Sequence, residues 1–214
     1  MKDDNWELIN GPVAHEIEVL NYSNQVNNIE CLVKFLVETG GLSETGCQLS
    51  PTSKALKELH RTGTLFLLEH PGEYRTKEVH IGNGEVVVHE PPTCEEVEPL
   101  IDDFFHDLHI NWPNYEPIDA CAYALWRINW IHPFVNGNGR TARAFSYACL
   151  CLKFGFILPG TNTVTDLIMA NRERFYAALK SVDESYDKGK LDLNDLTDFL
   201  TDLLIQQLES IPDT

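Results

Sequence analysis

His132-Pro-Phe-Val-Asn-Gly-Asn-Gly-Arg-Thr-Ala-Arg143 puts one titratable base, a glycine-rich turn and two cations into a single short stretch. Gly137, Asn138 and Gly139 let the backbone turn sharply and present N–H groups with no bulky side chain in the way. The run that follows, Arg140 to Lys153, reads as a helix. A helix N-terminus entered through such a turn attracts anions, because its first N–H groups are unpaired and its dipole is positive there. Arg140 and Arg143 stand three residues apart, so they share a face of that helix and can converge on one anion. Two guanidinium groups suit a polyphosphate.

Outward from this stretch, helical patterning dominates. Segments near Glu16 to Glu38, Thr52 to Leu68, Cys94 to His109, Ile118 to Ile131, Leu167 to Val182 and Asn194 to Leu208 carry apolar residues at three- and four-residue spacing or lie between caps and breakers. In the last, Leu196, Phe199, Leu200, Leu203 and Leu204 form one core-facing stripe. Thr93-Cys94-Glu95-Glu96 reads as an N-cap followed by first-turn acids. The helices 118–131 and 140–153 flank the glycine turn and hold it between rigid elements. A second Gly-Asn-Gly, at 82–84, lies between Val79-His80-Ile81 and Glu85-Val86-Val87-Val88, with no helix or arginine pair after it. Asn83-Gly84 therefore predicts a β-hairpin turn. The expected fold class is mainly α with one β-hairpin.

The segment 132–143 resembles the signature of the Fic family, His-x-Phe-x-Asp/Asn/Glu-Gly-Asn-Gly-Arg with a second Arg three residues on, and every fixed position is present in order. The resemblance implies a Fic-type helical core over 71–209, with an N-terminal helical region, 1–70, packed on it. A hairpin flap at 78–90, preceded by Gly72-Glu73-Tyr74-Arg75, would lie over the active site. The implied activity is that of a protein adenylyltransferase, which moves AMP from ATP to a Ser, Thr or Tyr hydroxyl on a target protein with Mg²⁺ present. In that chemistry His132 is the general base, a role suited to a group that titrates near neutral pH. Phe134 is a core anchor. Gly137, Asn138 and Gly139 receive phosphates, and Arg140 and Arg143 neutralise charge toward the terminal phosphates. Asn171 and Tyr176, within Asn171-Arg172-Glu173-Arg174-Phe175-Tyr176, resemble the segment near the adenine.

Two positions refine the expectation. Asn136 stands where the family more often has a carboxylate for Mg²⁺, and a neutral amide oxygen is a weaker ligand for a hard cation. Gly139 stands where the Doc-type kinases carry Lys, so the resemblance favours AMP transfer over phosphate transfer. The flap residues Val79, His80, Ile81, Val86, Val87 and Val88 would pair with an extended target segment through main-chain hydrogen bonds. The family's inhibitory pattern, Ser or Thr, three residues, then Glu and a Gly or Asn, is not found. Its nearest counterpart, Val26 to Cys31 with Glu30, lacks the hydroxyl and the small residue, so any inhibition would come from a separate regulatory chain. Rival readings are transfer of UMP or phosphocholine, and a Fic-fold nucleotide-binding module weakened by Asn136.

A chain of 214 residues with 43% hydrophobic content buries a sizeable core. A formal net charge of −17 excludes a nucleic-acid partner held by clustered cations, and makes the basic pair at 140 and 143 a local exception. No apolar run approaches the ~18 residues of a membrane span, and the polar start, Met1 to Trp6, predicts a cytoplasmic protein. The six cysteines, at 31, 47, 94, 121, 149 and 151, lack Cys-x-x-Cys spacing and are expected to be reduced thiols, most of them in apolar surroundings.

Overall fold

The computed structural model describes residues 7–38, 50–82 and 87–212. Its α-helices are α1 (Pro12–Glu38), α2 (Ser53–Gly63), α3 (Val97–Asn111), α4 (Pro117–Ile131), α5 (Asn138–Phe154), α6 (Val164–Ala170), α7 (Arg172–Asp187) and α8 (Asn194–Glu209). The centre is the pair α4 and α5. Every residue from Ala120 to Ile128 is buried, and so is every residue from Ala144 to Leu152. Helices that are apolar all round must be enclosed by other elements. Here α3, α7 and α8 pack on α4, while α1, α2 and α6 pack on α5. Phe104, Trp112, Trp126, Phe134 and Phe145 are fully buried in one core that also takes Ile29, Val33 and Leu36 of α1.

The expected stripe on α8 is buried at Leu196, Phe199, Leu200 and Leu203, with Leu204 packed at its edge. Three expected helices differ in extent. The first begins earlier, at Pro12, because proline in a first turn has no N–H that the helix would need. The second stops at Gly63 rather than Leu68: the Leu67 and Leu68 N–H groups both turn back to Thr64 O, and Phe66 takes φ 63°. The segment 167–182 belongs to two helices that meet at Asn171, whose φ −119° and ψ 41° interrupt the spiral. Thr93 and Glu96 form a reciprocal capping box, but it caps a 3-10 turn, Cys94–Glu96, from which α3 continues.

Two short strands, β1 (Ile81–Gly82) and β2 (Val87–His89), pair antiparallel with Ile81 opposite His89 and Gly82 opposite Val87. The predicted turn, 83–86, including Val86, lies outside the described residues, as does Cys47. Cys121, Cys149 and Cys151 are buried free thiols whose pKa values burial raises, Cys94 is half-buried, and Cys31 is exposed. Among the described residues, no helix is long and apolar enough to cross a membrane.

Candidate active site

His132 is the residue on which α4 ends. It takes a left-handed conformation, φ 53° and ψ 58°, while its N–H still donates to Ile128 O at 3.0 Å. Pro133 follows and cannot continue the helix. The imidazole Nδ1 lies 3.3 Å from Asn129 O. A carbonyl only accepts, so that bond puts the proton on Nδ1 and leaves the Nε2 lone pair free. Burial pulls the His132 pKa down to about 4; the Asn129 carbonyl opposes this, while His89 and Arg75 add to it. The side chain opens on a groove of about 530 Å³ that it shares with Ile81, His89, Trp130, Tyr176 and Asp183.

Arg75 fixes the end of α4. Its side chain is fully enclosed, Nε donates to His132 O at 2.8 Å, one terminal nitrogen reaches Pro92 O and Ile131 O, and its backbone N–H donates to Pro133 O at 2.9 Å. A helix leaves its last carbonyls without partners, and here a guanidinium supplies them. The half-exposed Glu78 stands 3.5 Å away as counter-ion. Arg75 is thus a positioning residue. Only its place in the Gly-x-Tyr-Arg element hinted at this from sequence.

His60, on α2, supports the turn from beneath. The Gly72 N–H donates to its Nδ1 at 2.8 Å, which leaves Nε2 carrying the proton and donating to Asn136 O at 2.9 Å. The ring stacks on Phe134 with centroids 3.7 Å apart and planes 6° from parallel. Burial lowers the His60 pKa to about 4, opposed by the bond to Asn136 and aided by Arg140. Protonation would place a second N–H against that of Gly72. Because the folded pKa lies below the unfolded value of ~6.5, the unfolded chain binds the extra proton first as pH falls. Stability is therefore full above pH ~6.5 and declines toward pH ~4, by an amount on the order of 3 kcal/mol from this residue. Melting temperatures measured across that range are expected to fall more steeply for the wild type than for His60→Gln. Nothing in the periodicity of α2 separates His60 from its core neighbours Leu56 and Leu59.

Asn138 closes the loop internally: its Oδ1 accepts the Phe134 N–H at 2.8 Å and its Nδ2 donates to Phe134 O at 2.7 Å. The amide is buried and both its ends are engaged in this pair, so its side chain holds the loop closed. Gly137 has φ 78°, and a Cβ there would come within 2.7 Å of Thr64 Cγ2, so both the turn and the close approach require glycine. The Gly137 N–H donates to Asn136 Oδ1 at 2.6 Å, and Asn136 Nδ2 donates to Glu7 at 3.1 Å. Arg140 pairs with Glu18 of α1 at 2.9 Å. Two acids from the N-terminal segment therefore stand on the motif, a feature with no sequence signal because 129 and 122 residues separate the partners. Arg143 lies over Gly139, and among the described residues it has no ion pair. Burial lowers its pKa to about 10, with Tyr176 and Tyr22 opposing and Arg140 and Arg172 adding.

A base beside a groove, a glycine turn stapled by an asparagine and two arginines on the following helix form one continuous unit. Residues 50–150 match the model of the Fic/DOC family. This part of the chain is a Fic/DOC family domain. Among curated relatives, it is 37% identical to the protein adenylyltransferase Fic of Drosophila mojavensis over 95 residues, which are 43% of this chain and 18% of that protein. It is 31% identical to the Drosophila virilis protein adenylyltransferase Fic over 148 residues, 64% of this chain and 26% of that one. The chain thus spans about a fifth to a quarter of the length of the curated relatives it matches. Among solved structures, Fic-1 of C. elegans superposes with a TM-score of 0.67 at 19% identity, covering 94% of this chain and 53% of the other. A Fic domain containing signaling protein from Bacteroides thetaiotaomicron gives 0.66 at 20% identity, covering 94% and 72%. These likenesses show the fold.

Around this Fic domain's motif, Ile81 and Tyr176 border the His132 groove from β1 and α7, and Tyr176 is largely exposed. Val79 is half-buried and His80 exposed, while Val87 and Val88 belong to the β2 backbone. Asn171 is turned elsewhere: its Nδ2 donates to Leu167 O at 2.9 Å, at the junction of α6 and α7. Glu30 pairs with Lys34 at 3.9 Å and forms part of the rim of the cavity that Arg143 also lines.

Proposed function

We propose that this Fic domain transfers AMP from ATP to a Ser, Thr or Tyr hydroxyl of a target protein. The observation that carries the reading is the tautomer of His132: with Nδ1–H given to Asn129 O, the Nε2 lone pair is open to a groove bordered by the strand pair. The hydroxyl gives its proton to Nε2 as its oxygen attacks the α-phosphorus of ATP. A P–O bond to the acceptor forms, and the P–O bond to pyrophosphate breaks. Arg140 and Arg143 hold the departing pyrophosphate, and Ile81 with the β2 edge aligns an extended target segment. Tyr176, exposed beside His132, offers a face for the base. Labelling with ATP radioactive at the α-phosphate, compared with label at the γ-phosphate, tests the reaction: transfer of the α-label alone supports it, and transfer of the γ-label overturns it.

ATP must displace Glu18 from Arg140 to use that cation, which sets a modest electrostatic threshold for entry. Mg²⁺ would be held by Asn136 and the nucleotide phosphates, and when bound it would neutralise phosphate charge. The donor set fits this only weakly, since Asn136 Oδ1 already accepts the Gly137 N–H. That same observation favours a second reading, a Fic-fold nucleotide-binding module of low catalytic rate. Asn136→Asp separates the two. A carboxylate keeps the bond to Gly137 and adds a charged ligand, so the Mg²⁺ concentration for half-maximal labelling is expected to drop about tenfold. Loss of nucleotide binding in this variant, by repulsion from the phosphates, would instead show that the neutral amide is required.

A further inference from the structure

Between α1, α5 and α6 lies a cavity of about 410 Å³, at the small end of the range of about 300–1,000 Å³ usual for small-molecule sites. It is separate from the His132 groove. Val26, Ile29, Ala144, Ile157, Leu158 and Met169 line its interior, so its body is apolar. Its charged groups are Arg140, Arg143, Glu30 and Asp166. Three of these have partners: Arg140 has Glu18, Glu30 has Lys34, and Asp166 accepts the Tyr22 hydroxyl at 2.8 Å together with the Thr163 hydroxyl at 2.6 Å. Arg143 alone is without a counter-ion among the described residues.

We propose that this cavity binds a small amphipathic monoanion, an apolar chain bearing one carboxylate, with the carboxylate on Arg143 and the chain among the aliphatic side chains. The charge inventory selects a monoanion. A guanidinium with no counter-ion among the described residues can donate to one carboxylate as a bidentate pair, whereas a polyanion would meet Glu30 and Asp166, which also line the cavity. The lining selects an apolar body, since unpaired polar groups on a ligand would lose water without compensation there. On the proposed nucleotide reading, such a ligand shares Arg143 with the terminal phosphates and would couple the two sites by competition. The cavity itself does not depend on that reading.

Decanoate is a suitable probe for the full chain, with decanol and decylamine as neutral and cationic controls. Calorimetry is expected to give saturable one-to-one binding of decanoate, at least about tenfold tighter than either control, as expected for a charge-assisted pair. Val26→Trp and Ile157→Trp, which fill the cavity from α1 and from the segment after α5, are each expected to abolish binding. Circular dichroism melts identify a variant that has failed to fold, so that the other decides. Decanol binding as tightly as decanoate, or decanoate binding unchanged in a folded filler variant, would overturn the proposal. ATP affinity measured on the same variants reports separately on the nucleotide site.

Discussion

Replacing His132 with alanine is expected to lower AMP transfer by ~10²–10⁴-fold while ATP affinity stays within a few-fold. The side chain touches no group expected to bind phosphate; it faces the groove where the acceptor hydroxyl would lie. Its effect should therefore fall on the chemical step and spare ground-state binding. The pH profile adds a second check. With the His132 pKa at about 4, the imidazole is already neutral at pH 6, so the transfer rate should lack the inflection near 6.5 that an ordinary histidine gives. Initial rates of α-label transfer from pH 5 to 8, for wild type and variant, measure both. Undiminished labelling by His132→Ala would remove the residue from the mechanism.

Arg143→Ala is expected to weaken ATP by about 10- to 100-fold and AMP by little, since a charge-assisted bond contributes ~1.5–3 kcal/mol and its proposed partner is a terminal phosphate. Arg140→Ala should cost less. Arg140 already has Glu18 at 2.9 Å, so a phosphate must replace an existing anion, whereas Arg143 is half-buried and has no ion pair among the described residues. Calorimetric titration of both variants with ATP and AMP checks the ranking. Equal losses for the two nucleotides would place the Arg143 contact away from the terminal phosphates.

The helical class and the family were readable because their signals are local. The stripe on α8 needs only a 3.6-residue period, and the motif is continuous in the chain. The helix limits failed where single backbone angles decide, at Phe66 and Asn171, since no periodicity reports them. The internal bonds of Asn138 were not legible for another reason. Its type permits either a phosphate contact or an internal bond, and only the distance to Phe134 distinguishes them. The supports of the site, His60 and Arg75, and the acids Glu7 and Glu18 act across long separations, which a sequence pattern does not encode.

The backbone at position 132 carries a consequence for how such a domain evolves. A left-handed conformation is glycine's preference, and any side chain there costs about 1–2 kcal/mol. Selection for robustness alone would drift this position toward glycine, and the drift would silence the proposed chemistry while firming the fold. On the proposed chemistry, a histidine in that conformation trades thermal resilience for reactivity. Lineages that lose the need for the reaction have a ready first step toward a sturdier, inert scaffold.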